Sequence, residues 1–207
     1  MISLAELKES TQVIDDLAWP YDFDLSRADA DSTWITLKPA VNFNVLAGDG
    51  TGGVFLAYGE DSLNDLPVLH ATSEGQAGKI ANSLQDAVAL HIQLPYWRDL
   101  LKFSRNGDLV QMRRASAFLE AEYNKDMPEL FDAKARLLEA LDVRVLDDPI
   151  AYLHQCIQET DCTLVADDGS VWESLFNSFT IDQNPKWKQW AAQQGDAADG
   201  LTAVTDL

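Results

Sequence analysis

Three histidines, two cysteines and a scatter of carboxylates are the side chains of this chain that could do chemistry. His70 stands in the apolar run LPVLHAT (66–72), His91 in a helical stripe and His154 within another helix. An imidazole can move protons near neutral pH, but only with a partner in hydrogen-bond reach and a position facing substrate. His70 with Glu74 is the one pair placed at a strand end, where sites tend to form. Ser73 beside them lacks the Gly-x-Ser-x-Gly setting of an activated nucleophile. The spacing therefore reads as three structural histidines, with a small hydrolase as the remote reading.

Metal and thiol chemistry have less support. Cys156 and Cys162 lie six apart, which is neither Cys-x-x-Cys nor a zinc pattern, and they read as reduced thiols. Asp22, Asp24, Asp29 and Asp31 are close together, but they lack the central glycine and terminal glutamate of an EF-hand loop. Asp167-Asp168-Gly169 reads as a hairpin turn before it reads as a site. The residues call for no cofactor and no metal.

The segment Trp19–Asp24 is of a different kind. There the aromatics Trp19, Tyr21 and Phe23 alternate with Asp22 and Asp24, and Asp29 and Asp31 follow. Interface cores favour Trp and Tyr, while surrounding carboxylates select a basic partner and speed its arrival. Trp19, Tyr21, Asp22, Asp24, Asp29 and Asp31 are accordingly the candidate partner-binding residues. The acidic stretch 147–168 competes as a contact surface, but its Tyr152 and the nearby Trp172 read more simply as core.

The elements that must position these residues follow from periodicity. Leu4, Leu7, Ile14 and Leu17 mark an N-terminal helix over 3–17, with Ser3 and Glu6 as a capping box and Pro20 as its stop. Strand-type runs occupy 33–37, 40–46, 54–58 and 66–72, and Gly52-Gly53 suggests a turn whose backbone resists a β-carbon. Residues 73–78 read as a tight loop and 83–94 as a capped helix. YWRDLLKFS, 109–123, 128–141 and 149–158 follow as further helices. A hairpin spans 162–176, PKWKQW (185–190) docks, and the tail frays after Gln194. The fold class expected is α+β, a small antiparallel sheet packed by helices with a mainly helical C-terminal region. Residues 1–105 form the core, and 106–207 an extension packed on it as one globular unit.

Charge bounds the partners. The formal net charge is −19, and it is unevenly placed. Residues 1–97 carry 14 acids against 4 bases and residues 145–207 carry 11 against 2, while 98–144 balance at 9 and 9. Such a field disfavours nucleic acid and anionic membrane and favours a basic protein. No apolar run approaches the ~20 residues needed to span a bilayer. Glu6, Glu9, Asp15 and Asp16 stand where a signal peptide would be apolar, so a cytoplasmic location is expected.

One stretch carries a resemblance. Asp49-Gly50-Thr51-Gly52-Gly53 is followed by the strand Val54–Tyr58, then by Pro67–Ala71 with Glu74-Gly75, then by Ala81-Asn82-Ser83-Leu84. From Gly48 to about Ser104 this succession resembles the SMI1/KNR4 family, the SUKH superfamily. The resemblance implies a mixed α+β fold and, in bacteria, an immunity protein that neutralises a toxin by binding it. A basic toxin domain such as a nuclease would suit the charge. The other readings are a non-catalytic scaffold or regulatory protein-binding domain and, third, the small hydrolase.

Overall fold

The computed structural model describes residues 2–29, 32–166 and 168–190. Two short helices open the chain, α1 (Leu4–Glu9) and α2 (Thr11–Ala18), where the sequence reads as one. Ser10 causes the break: extended in backbone, it ends α1 and caps α2 by accepting from Val13 N–H. The Ser3–Glu6 capping box is present.

The fold is α+β. Strands β2 (Phe43–Gly48), β3 (Val54–Tyr58), β4 (Val68–Ala71) and β5 (Ala77–Ala81) form an antiparallel meander in that order. A separate two-stranded sheet pairs β1 (Thr36–Lys38) with β6 (Thr163–Val165). Two expectations are corrected here. The strand at 33–37 lies outside the main sheet, and residues 77–81, of which the sequence reads 77 and 78 as loop and assigns 79–81 to no element, are its fourth strand. Gly78 and Lys79 hide that strand from propensity; a β-carbon at Gly78 would lie 3.2 Å from Leu175 Cδ1, a tight contact across the sheet edge.

The sheet is buried on both faces, which explains the unbroken apolar run VFLAY in β3. Phe55 and Ala57 face the helices, and Val54, Leu56 and Tyr58 join Ile35, Leu37 and Leu164 of the small sheet. On the helical face lie α3 (Leu84–Gln93), α4 (Trp97–Lys102), α5 (Leu109–Asp126), α6 (Glu129–Ala140) and α7 (Pro149–Gln158). Their core runs without interruption from Ile2 to Trp187, so residues on both sides of position 105 share it. Trp187 of the C-terminal segment inserts between Phe103 and Phe118.

The hairpin at 162–176 is also altered. Ala166 N–H donates to Ser170 at 2.9 Å, and one bridge joins Val165 to Val171. The chain then leaves β6 and runs to the free edge of the main sheet, where Glu173 pairs with Gln76. Non-local pairing decides both matters, since β6 finds β1 across more than a hundred residues. Asp31, Asp167 and the tail beyond Gln194 lie outside the described residues. No helix among the described residues is long and apolar enough to cross a membrane.

Candidate functional site

A cleft of about 760 Å³ opens where the α2–β2 connection, the β2–β3 and β4–β5 turns and α4 converge. Its floor is a hydrogen-bonded network centred on Asp49. The turn Asp49-Gly50-Thr51-Gly52-Gly53 builds this centre locally. Asp49 Oδ1 accepts from the N–H groups of Thr51 and Gly53 and from the Thr51 hydroxyl, each at 2.8 Å. Oδ2 accepts from His70 Nε2 and Arg98 Nη1, both at 2.9 Å. The side chain is wholly buried, and five donors satisfy it.

Arg98 links this centre to Asp22. Its other terminal nitrogen, Nη2, contacts Asp22 Oδ2, while Asp22 Oδ1 accepts from Gly50 N–H at 2.6 Å. Asp22 adopts φ +58°, a left-handed conformation that aspartate tolerates better than most residues. That conformation puts its carboxylate between the β2–β3 turn and α4.

Burial pushes the pKa of Asp49 up, but the bonds from His70, Thr51 and Gly53 outweigh it and hold the carboxyl well below the usual range. Burial pushes His70 down and outweighs the opposing pull of Asp49. His70 is therefore neutral, with the proton on Nε2, because a carboxylate can only accept. Its Nδ1 is buried without a hydrogen-bond partner. His91 packs against Phe23, Phe55 and Trp97 and donates from Nδ1 to the Ala87 carbonyl at 2.7 Å. Burial lowers its pKa to about 3.

These histidines give the first prediction. A base whose folded pKa is depressed binds its proton mainly in the unfolded state. Its contribution is fully present above the unfolded value of 6.5 and is lost as pH falls toward about 3. For His91 this amounts to roughly 2 kcal/mol between pH 7 and pH 5, with His70 acting in the same direction. Urea denaturation at the two pH values should show that loss, and His91→Phe should remove its share. An identical pH dependence in the variant would refute the assignment.

The residues singled out by sequence divide clearly. Trp19, Tyr21, Asp22 and Asp24 all line the cleft. Trp19 is 63% exposed at its rim. Tyr21 is a correction to the picture of an exposed anchor: it is 3% exposed, and its hydroxyl donates to the Leu130 carbonyl at 3.3 Å. Tyr21→Ala would thus report on packing before binding. Asp24 accepts from Ser26 N–H at 2.9 Å and pairs with Arg27 at 3.0 Å. Asp29 is exposed and outside the cleft lining.

His70 and Glu74, the remote acid–base pair, share no hydrogen bond among the described residues. His70 Nε2–H is committed to Asp49, whereas Glu74 stands exposed at the rim. Burial pushes the thiols of Cys156 and Cys162 up to about 11 each, which leaves them protonated and weakly nucleophilic. His154 Nε2 donates to the Gly107 carbonyl at 2.7 Å and is not part of the cleft lining.

Sequence reasoning placed the Asp49 turn correctly but did not see it as a hub. An aspartate before Gly-x-Gly-Gly signals a side chain folded back on its own turn. Nothing local signals Arg98, which arrives from α4, 49 residues later. As arranged, the network fixes charge and shape at the base of a cleft. The chain matches no protein-family model, no curated protein and no solved structure.

Proposed function

We propose that this protein is a stoichiometric inhibitor of the immunity type, which binds a basic toxin domain and occludes its site. The observation that carries this reading is the electrostatic character of the cleft and its surroundings. Arg27, Arg98, Arg113, Arg114, Arg136 and Arg144 are each tied to an aspartate of this same chain. Lys102, Lys125 and Lys186 are paired with carboxylates as well, so among the described residues nine of the fifteen Lys and Arg are neutralised internally, and the excess carboxylates are left to act on a partner. Beside them Trp19 offers the kind of large, exposed aromatic that anchors interfaces. The resemblance of residues 48–104 to the SUKH superfamily supports the same reading. A non-catalytic scaffold would share the acidic surface but would have no toxin to neutralise.

The decisive experiment uses the genetic neighbourhood. A reading frame beside this gene that is toxic when expressed alone should become harmless when the two are co-expressed, with a one-to-one complex on sedimentation. Neighbouring frames that are harmless, or a toxic one that this protein neither binds nor silences, would reject the proposal.

Kinetics supply a further prediction. Exposed charges are screened over roughly 8 Å at physiological salt. Association with the toxin should slow by about tenfold or more between low and high salt, with dissociation changing much less. Trp19→Ala should instead speed dissociation without altering stability, since its side chain is mostly in solvent. A flat association rate would shift the interface to apolar contacts and deprive the net charge of its role.

A further inference from the structure

We infer that the cleft receives the guanidinium of an arginine side chain presented by the protein partner. This deepens the inhibitor reading and rests on it for the source of the arginine. The floor holds two carboxylates, Asp22 and Asp49, against the single guanidinium of Arg98. His70, the remaining member, is held neutral between the aromatic rings of Phe55 and Trp97. One negative charge at the base of the cleft is therefore uncompensated.

The walls add to the imbalance. Glu74 has no ion pair or side-chain hydrogen bond among the described residues, and Asp99 shares its carboxylate between Lys102 at 2.6 Å and Tyr123 at 2.7 Å. Counting the whole lining, the carboxylates outnumber the cations Arg27, Arg98 and Lys102. A phosphate, nucleotide or other anion is repelled by such a cleft; a cation is drawn in.

Acceptor capacity selects Asp22 as the group that meets the ligand. Asp49 is wholly buried and already accepts five hydrogen bonds. Asp22 accepts two, and its side chain is 27% exposed, so lone pairs remain for a newcomer. His70 also lines the cleft, and its Nδ1, buried, has no hydrogen-bond donor.

Shape and lining favour guanidinium over ammonium. Trp19, exposed at the rim, and the half-buried Tyr123 contribute aromatic rings to the walls, and planar guanidinium stacks on aromatic faces while donating in its own plane to carboxylates. A volume of about 760 Å³ accommodates a full arginine side chain with the backbone that carries it. Basic toxin domains that hold phosphate present arginines on the surface an inhibitor must cover.

The test titrates the intact protein with N-acetyl-arginine amide, reading tryptophan fluorescence, with N-acetyl-citrulline amide as the neutral isostere and agmatine as a free guanidinium solute. Saturable binding of the arginine amide is expected, with the citrulline amide weaker by about tenfold or more. Asp22→Asn should lower the affinity similarly. Because Asp22 also supports the turn, Glu74→Gln at the exposed rim serves as a second variant, and a several-fold loss is expected. Equal affinity for the citrulline amide, or unchanged affinity in both variants, overturns the inference. Agmatine binding at least tenfold tighter than the arginine amide would make the ligand a free solute and overturn the protein source. If both variants still bind and silence the toxin like the parent while the arginine amide does not bind, the arginine inference fails and the inhibitor reading survives. If the arginine amide binds but no toxic neighbour is bound, the inhibitor reading fails and takes the protein source with it.

Discussion

Asp49→Ala is expected to cost about 3–5 kcal/mol of folding stability, the range for removing one partner from a buried, hydrogen-bonded charge network. Three turn donors, His70 Nε2–H and Arg98 would all lose their acceptor in one substitution. Two of these consequences are separable. The turn donors at Thr51 lie near solvent and can find water, whereas the His70 ring is buried and cannot. Asp49→Asn should therefore cost less than Asp49→Ala. Its amide oxygen can keep the turn, and its amino group can meet His70 once the imidazole proton moves to Nδ1. Arg98 would still lose its buried counter-charge, so the Asn variant should not reach parent stability. Chemical denaturation of the three proteins measures the order directly. A loss below about 1 kcal/mol for the Ala variant would mean that the carboxylate is not the hub of this network.

This hub shows how much the sequence discloses and where it stops. Local signals were sufficient for the Ser3 capping box, for the helices whose apolar residues recur at three and four, and for the Asp49 turn. They failed where a contact joins distant segments. The pairing of β1 with β6, the strand 77–81 and the Arg98 bridge each depend on tertiary neighbours that outweigh local propensity. At the cleft the same division holds. Trp19–Asp24 was legible as a surface of interest because aromatics alternating with carboxylates are unusual in a connector. Its alternation also hid a structural role, since Tyr21 and Phe23 turn into the core and only Trp19 remains in solvent. Asp22 serves both sides, holding Arg98 while keeping part of its carboxylate in the cleft. Composition alone gave the charge of this surface. The assignment of that charge to a particular floor required knowing which arginines were already spent.

Gly53 should be the least tolerant glycine of the Asp49 turn, and its cost separates two explanations of why glycine is there. The sequence suggests that both Gly52 and Gly53 adopt backbone conformations closed to other residues. In the structure only Gly52 does so, with φ +93° and nothing nearer its missing β-carbon than Ser73 Cβ at 3.7 Å. Gly53 is excluded by crowding instead. A β-carbon there would lie 2.9 Å from the Ala71 carbonyl oxygen and 3.0 Å from His70 Nε2, with Asp49 Oδ2 nearer still. The first of these atoms is backbone in β4, hydrogen-bonded within the sheet, and the other two are the hub itself. None can retreat without breaking a bond. Gly52→Ala should cost about 1 kcal/mol for its left-handed backbone. Gly53→Ala should cost about 2–3 kcal/mol, and Gly53→Val more, because each added methyl deepens the intrusion. Thermal unfolding of the three variants tests the ranking. If Gly52→Ala proves the more damaging, backbone conformation and not the close approach of β3, β4 and Asp49 dictates this turn. The hub would then have more room than the structure gives it.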